Sequence, residues 1–502
     1  MDLIGNLMIG LEAAVSLQNL FYCLVGVTIG TLIGVLPGMG PVAAVAMLLP
    51  ATYALEPSAA LIMLAGIYYG AQYGGSTTAI LVNIPGEAAA VVTCIDGHKM
   101  AKRGRAGAAL GICAIGSFIA GCFATLLIAA FAPPLIAVAF QFGPAEYFSL
   151  MVLGLVGAIV LATGSILKAI CMIILGLLLG IIGTDVNSGA LRFTFGIDEL
   201  QEGIGFVALS MGIYGLAEIM KNLELGEKRS LVPNRVGSVL PNRQELKTSA
   251  APIARGTIIG SLLGVLPGGG ALLSSFASYT IEKKIAGSRA DPPFGQGNIR
   301  GVAGPESANN AGAQTSFIPM LTLGIPSNAV MALLIGAMMI HDIVPGPQVM
   351  SSNPALFWGL IVSMWIGNLF LIILNLPMIS VWVQLLKVPY RWLYPAILVF
   401  CCIGVYSINN SVWDVWVTIF FGIVGYIFIK LDCETAPLIL GFILGPMMEE
   451  NMRRALLLSR GDPLTFFTSP ISCGLLIAAA VLLVVVAAPS VRKKREIAFH
   501  ED

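Results

Sequence analysis

Apolar segments of near-constant length recur along this chain, near residues 17–36, 106–132, 147–165, 166–183, 203–219, 354–380, 412–430 and 470–490. Each approaches the roughly 20 residues that a helix needs to cross a bilayer. Inside lipid no water satisfies the backbone, and a helix satisfies it internally. Only 11% of the 502 residues are charged and 57% are hydrophobic, whereas a soluble domain carries about a quarter charged residues. With the interrupted segments described below, the pattern predicts an all-α polytopic membrane protein of about 12 membrane elements.

The remaining composition excludes several functions. No Lys or Arg precedes Lys99, so the N-terminus lacks the basic region of a cleavable signal peptide and its first apolar segment is expected to stay. Net charge is zero and the basic residues fall in short loops, which argues against a nucleic-acid partner. The nine cysteines are scattered through apolar runs without metal-type spacing, and His98, His341 and His500 lie in loops or at the tail. Neither a zinc site nor any other transition-metal site is expected, and no cofactor.

An internal repeat organises the chain. Gly30-Thr-Leu-Ile-Gly-Val-Leu-Pro-Gly-Met-Gly40 returns 230 residues later as Gly260-Ser-Leu-Leu-Gly-Val-Leu-Pro-Gly-Gly-Gly270. Gly70-Ala-Gln72 with Asn83-Ile-Pro85 is answered by Gly312-Ala-Gln314 with Gly324-Ile-Pro326. Each half therefore has two hydrophobic segments interrupted at corresponding positions, the sequence pointer to a transporter binding site. The predicted units are an N-terminal repeat over 1–220, a basic linker over 221–250, a C-terminal repeat with an extra final span over 251–491, and a tail over 492–502.

Loop charge gives the relative direction of the halves. The linker carries Lys221, Lys228, Arg229, Arg235, Arg243 and Lys247 and reads as cytoplasmic. After the first interrupted segment, Leu55-Glu-Pro-Ser58 has no basic residue, whereas its counterpart carries Lys283, Lys284, Arg289 and Arg300. After the second, Lys99, Lys102, Arg103 and Arg105 face a counterpart, His341-Asp-Ile-Val-Pro-Gly-Pro347, that has none. The loop from Pro133 to Tyr147 is likewise free of Lys and Arg, while its counterpart holds Lys387 and Arg391. Equivalent loops thus fall on opposite sides, and the repeats are predicted to be inverted. Arg492-Lys-Lys-Arg495 puts the C-terminus inside and the same scheme puts the N-terminus outside. Arg192, Arg453, Arg454 and Arg460 go against the rule by falling on the outer side, the last three flanked by Glu449, Glu450 and Asp462.

Each half is predicted to hold a re-entrant hairpin and a broken helix. The hairpin tips are Pro37, Gly38, Met39 and Gly40 in one half and Pro267, Gly268, Gly269 and Gly270 in the other. Glycine admits close backbone approach, and a helix starting at the tip offers free N–H groups to an anion. Packing kinks are the bland alternative for one such motif; their pairing at equivalent places favours a site. No Gly-Lys-Ser/Thr follows, which excludes a nucleotide phosphate loop.

The second interrupted segments are polar. Gln72, Ser76, Thr77 and Thr78, with Gln314, Thr315 and Ser316, supply amides and hydroxyls for a carboxylate, beside carbonyls expected to be freed by the break. Asn83, Glu306, Asn309, Asn310, Ser327 and Asn328 are the candidate ligands of a hard cation such as Na⁺. Helix-to-helix hydrogen bonding is the bland reading for any single one of them, worth only about 0.6 kcal/mol. Glu306 and Glu87 are ionisable residues at or near membrane depth and hence functional candidates, although Glu87 equally suits a helix end. Lys168 and Glu218 sit near span ends and snorkel.

At Gly34-Val-Leu-Pro-Gly-Met-Gly40, Gly264-Val-Leu-Pro-Gly-Gly-Gly270, Gly301-Val-Ala-Gly-Pro-Glu-Ser-Ala-Asn-Asn-Ala311 and Gly324-Ile-Pro-Ser327 the chain resembles the large membrane subunit (TctA-type) of the tripartite tricarboxylate transporters. The resemblance covers essentially the whole chain; Gly304 stands where the family pattern has Ala. It implies ion-coupled uptake of a citrate-like or other di- or tricarboxylate across the bacterial inner membrane. It also implies a coupling cation, Na⁺ or H⁺, a small membrane subunit and a periplasmic substrate-binding protein. The N-terminus would then be periplasmic and the C-terminus cytoplasmic, with membrane lipid around the spans.

Two other classes compete with a secondary transporter. An intramembrane enzyme would need a nucleophile motif such as Gly-x-Ser-x-Gly or a catalytic dyad, and the sequence has neither. A passive channel or scaffold subunit would not need paired interrupted segments, which alternating access does need. The loop charges set an expected outcome: single cysteines at Ser58 and Pro345 are labelled by an impermeant thiol reagent from outside, and those at Gly104 and Ser288 only from inside. Gly104 and Ser288 on opposite faces would rule out inversion.

Overall fold

Helix boundaries follow from local chemistry. Proline opens α3 (Pro41–Leu48), α4 (Pro57–Val82) and α17 (Pro354–Asn375), where its missing N–H costs nothing. Ser16 caps α2 (Leu17–Val35), and Asn242 with Glu245 forms a reciprocal capping box on α11 (Arg243–Gly264). α4 and α14 (Phe317–Leu323) both stop on a left-handed residue, Asn83 (φ 61°) and Gly324 (φ 70°). The computed structural model describes residues 3–36, 40–83, 85–161, 165–185, 188–225, 239–266, 270–287, 290–385 and 390–487.

The remaining helices of the first half are α1 (Leu3–Ala14), α5 (Val91–Lys102), α6 (Ala106–Ala139), α7 (Pro144–Leu161) and α8 (Ile166–Gly180). A small antiparallel hairpin, β1 (Gly183–Thr184) with β2 (Leu191–Arg192), follows. Then α9 (Phe206–Ser210) passes through a π-helical turn, Met211–Leu216, into α10 (Ala217–Leu225). The second half adds α12 (Gly270–Ala286), α13 (Arg300–Thr315), α15 (Ala329–Ile340), α16 (Val349–Ser352), α18 (Ile379–Leu385) and α19 (Tyr390–Asn409). It ends with α20 (Val412–Lys430), α21 (Ala436–Leu458), α22 (Thr465–Thr468) and α23 (Pro470–Ala487).

The protein is an all-α membrane protein apart from that hairpin. Among the described residues four helices, α2, α6, α17 and α20, are each long and apolar enough to cross a membrane alone. Shorter apolar stretches of α1, α7, α8, α15 and α23 supplement them. The sequence count of about 12 elements is therefore met by fewer full-length spans, because several apolar runs fold as short helices. Outward-facing Phe21, Phe123, Leu126, Leu262, Ile373, Phe420 and Ile427 form an apolar exterior, which suits lipid rather than water.

The repeated glycines set the packing. A Cβ at Gly26, Gly30 or Gly34 of α2 would collide with the carbonyl oxygens of Met63, Ile67 and Ala71 on α4. In the second half, Gly256, Gly260 and Gly264 of α11 meet the carbonyls of Gly304, Ala308 and Gly312 on α13 in the same manner. Backbones thus touch along two helix pairs, the close approach that small residues permit in membranes.

Other sequence expectations meet the structure unevenly. The polar runs Gln72–Thr78 and Glu306–Thr315 are not broken: both are regular helix, and the interruptions come after them, following Val82 in the first half and at Ser316 and 324–328, either side of α14, in the second. Their carbonyls are consequently not freed. α1, whose Gly10 packs on the Trp358 backbone of α17, was not foreseen as an element. Three of the four positive residues that go against the charge rule are paired locally: Arg192 and Arg453 both pair with Asp185 and Glu449, and Arg454 pairs with Glu450. Lys168 donates to the Leu431 carbonyl at 2.5 Å from an exposed position, as a snorkelling residue does. Part of the expected linker is helical: α10 runs to Leu225 and α11 starts at Arg243. Lys228, Arg229, Arg235, Arg289, Lys387, Arg492 to Arg495 and His500 lie outside the described residues.

Gly30→Ala and Gly260→Ala should each destabilise the detergent-solubilised protein by about 1–3 kcal/mol, the cost of overpacking, read as a lower thermal midpoint. Gly474→Ala in α23, where a Cβ meets nothing within 4 Å, should be neutral or mildly stabilising.

Candidate functional site

The breaks, the glycines Gly40 and Gly270 that follow the two Pro-Gly motifs, and α13 converge. After α4 the chain turns at Asn83, and Gly86 lies directly on Gly75 of α4 and on the Gly34 carbonyl at the end of α2. The Gly86 amide donates to the Gly75 carbonyl at 3.4 Å. Thr78 covers the last carbonyls of α2, its hydroxyl 3.2 Å from the oxygens of Gly34 and Val35. Gly40 sits against Gly86, and Gly270, its counterpart in the repeat, packs on Gly264. Pro37, Gly38, Met39, Pro267, Gly268 and Gly269 lie outside the described residues.

Glu306 is the hub. Its carboxylate is fully buried in α13 and accepts from Ser76 Oγ of α4 at 2.6 Å and from Thr93 Oγ1 of α5. One turn on, Asn310 donates to Ser117 Oγ of α6 at 2.7 Å and to the Glu306 carbonyl at 3.1 Å. Asn309 donates to Glu87 Oε1 at 2.5 Å, which draws the first break onto α13. Gln314 accepts from Thr125 of α6 at 3.2 Å. Thus one polar helix face of the second half is tied to three helices and a break of the first.

The second break joins through Tyr68. Its hydroxyl lies beside the side chains of Gln72, Ser316 and Asn328, and Ser327 Oγ donates to the Ser316 carbonyl at 3.1 Å. The structure therefore groups Gln72, Ser76, Glu306, Asn309, Asn310, Ser316, Ser327 and Asn328. It leaves others apart: Asn83 is exposed and serves as the left-handed end of α4, and Thr315 spends its hydroxyl on the Ala311 carbonyl. Asn328 also caps α15 by accepting from the Met331 amide. Thr77 is buried nearby.

Four participants escaped sequence reasoning. Ser117 and Thr125 are isolated hydroxyls in the apolar α6, and Thr93 and Tyr68 lie outside the interrupted segments that the repeat marks, so nothing in one dimension singles them out. A cavity of about 720 Å³ opens elsewhere, between Arg105, Asn242, Glu245, Asp291 and Arg300. Arg300 starts α13 six residues before Glu306, about 9 Å along the helix. No His, Cys, Asp and Glu cluster that would hold a transition metal occurs among the described residues.

A family model described as "Tripartite tricarboxylate transporter TctA family" matches residues 20–440. An uncharacterised 52.8 kDa protein of Agrobacterium vitis, described by its position in the TAR-I ttuC' 3' region, is 56% identical over 502 residues, all of both chains. A second uncharacterised protein of Agrobacterium vitis, from the TAR-II ttuC' 3' region, is 58% identical over 243 residues, 48% of this chain and all of that protein. No solved structure matches the chain.

The Glu306 hub predicts a coupled pair of effects. Thr93→Val removes a donor from a buried carboxylate and should cost about 1.5–3 kcal/mol of stability; in a Glu306→Ala background the same change should cost far less. Equal losses in both backgrounds, measured by thermal unfolding in detergent, would show that the two side chains do not interact.

Proposed function

The chain belongs to the tripartite tricarboxylate transporter TctA family, and from that premise we propose that it takes up a small carboxylate, citrate or another di- or tricarboxylate, by symport with a cation. That family is one of transporters with several subunits. In this reading a periplasmic binding protein delivers the substrate, a small membrane subunit completes the complex, and the chain sits in the bacterial inner membrane. The N-terminus is periplasmic and the C-terminus cytoplasmic, with the halves as inverted repeats.

The observation that carries the proposal is the bond set between Glu306, Asn309 and Asn310 of one half and Ser76, Glu87, Thr93 and Ser117 of the other. Polar side chains are expensive within a membrane protein and mark substrate or ion pathways. Here they join the elements that alternating access must move relative to one another. Neither Glu306 nor Glu87 pairs with a basic residue among those described. A bound cation supplies the missing charge, and helix starts at the two tips, each with about half a positive charge, face the substrate. The cavity at Arg105 and Arg300 provides the wet approach on the cytoplasmic side.

Vesicle uptake tests this directly, with a panel of labelled di- and tricarboxylates and with Na⁺ and pH gradients imposed separately. Accumulation should require one of the two gradients. Gly38→Val and Gly269→Val should abolish uptake while reaching the membrane, since a branched side chain blocks both the tip backbone and the anion's approach. Gly154→Val, whose Cβ meets only Ile325 at 3.4 Å, should cost far less. Normal transport by the tip variants, or equilibration without accumulation, would overturn the reading.

A further inference from the structure

Glu87 and Glu306 are treated differently by their surroundings. Glu306 is answered by hydroxyl donors on both oxygens. Glu87 lies only 9% exposed after the first break, and its neighbours are amides: Asn309 Nδ2 at 2.5 Å and the side chain of Gln72. Gly75 makes the room for it, since a Cβ there would stand 3.1 Å from Glu87 Cγ.

On the two amides that neighbour Glu87, the oxygens are buried and have no partner among the described residues. They are Gln72 Oε1 and Asn309 Oδ1, on side chains 2% and 0% exposed. An orphaned buried acceptor costs about 1–3 kcal/mol, and a buried carboxylate without a counter-charge costs several more. Asn309 turns its nitrogen to Glu87 and its oxygen to nothing, and Gln72 behaves alike. The residues of the two tips and the break that fall outside the described set are Pro37, Gly38, Met39, Ile84, Pro267, Gly268 and Gly269, so none of them brings a positive charge.

We propose that Na⁺ binds at the Glu87 carboxylate together with the side-chain oxygens of Gln72 and Asn309, whose amides turn over to present oxygen to the ion in place of the nitrogen they now give the carboxylate, a site separate from the hydroxyl donors around Glu306. The donor set is all oxygen, which suits a hard cation. One carboxylate with two neutral amides matches a single positive charge. The site spans both halves, Gln72 and Glu87 from the first and Asn309 from the second, so occupancy fastens the first break to α13. The proposal rests on the reading of the chain as a cation-coupled carrier and gives that coupling a location.

Binding can be measured without transport, which separates the two ideas. The full chain, purified in detergent without carboxylate, is titrated with radioactive Na⁺ at constant ionic strength, with choline as the replacing ion. Saturable binding is expected. It should be lost in Glu87→Gln and weakened about tenfold or more in Gln72→Ala and Asn309→Ala, a ligand's worth of affinity. Glu87→Asp, which keeps the charge and the fold but shortens the reach, should also weaken it. Glu224→Gln, at an exposed carboxylate, should not change it. Absent Na⁺ binding in the parent chain, or unchanged affinity in folded Glu87→Asp and Asn309→Ala, would overturn the site. Gradient-driven uptake persisting under that result would leave the carrier reading standing.

Discussion

Everything in this structure depends on helices that touch through their backbones. α2 and α11 carry glycine at every fourth position along one face, and that face lies on the carbonyls of α4 and α13. A larger side chain would hold the axes apart and pull Thr78 away from the last carbonyls of α2. In lipid there is little hydrophobic gain from pairing two apolar helices, so close contact and polar bonds must hold them. The four-residue glycine spacing is therefore the element that positions the site, although it takes no part in any chemistry.

Upon this frame stands a polar helix that would be poorly stable alone. α13 carries Glu306, Ser307, Asn309, Asn310, Gln314 and Thr315, all buried. Its polar face is tolerated because α4, α5, α6 and the first break each send a partner to it. Fold and site are thus one problem: the same bonds that satisfy α13 join the two halves.

The sequence displayed the frame more clearly than the site. The repeat at Gly30 and Gly260, the breaks at Asn83 and Gly324 and the polar run from Glu306 were all visible, because glycine, proline and amides in an apolar chain are conspicuous. Their conformation was less so. Gln72 to Thr78 looked broken because polar residues cluster there, yet tertiary partners let the helix continue to Val82. Ser117 was invisible, since an isolated hydroxyl in an apolar helix has the same pattern whether it serves a carbonyl of its own helix, as Thr125 also does with Gly121 at 2.9 Å, or another helix; Thr93 and Tyr68 fall outside the repeated motifs. Grouping by spacing likewise put Asn83 with the cation ligands, whereas its left-handed backbone gives it a local duty.

A comparison among buried carboxylates shows which of them are finished structures. Asp96 on α5 is fully buried and accepts from the amides of Gly295, Gly297 and Asn298 at 3.0, 2.7 and 2.7 Å and from the Tyr279 hydroxyl at 2.9 Å. Glu282 on α12 is held by both arms of Arg255, at 2.6 and 2.8 Å. Each has a complete set of donors or a matching charge, which is what fixes a loop or pins a helix pair. Among the described residues Glu87 has no basic partner, and the amides of Gln72 and Asn309 that neighbour it carry orphaned oxygens. A chain that supplies four donors to Asp96 and a guanidinium to Glu282 has the means to complete Glu87 as well. Around Glu87 it instead leaves the oxygens of Gln72 and Asn309 unpartnered, and the proposed cation would answer both them and the carboxylate charge.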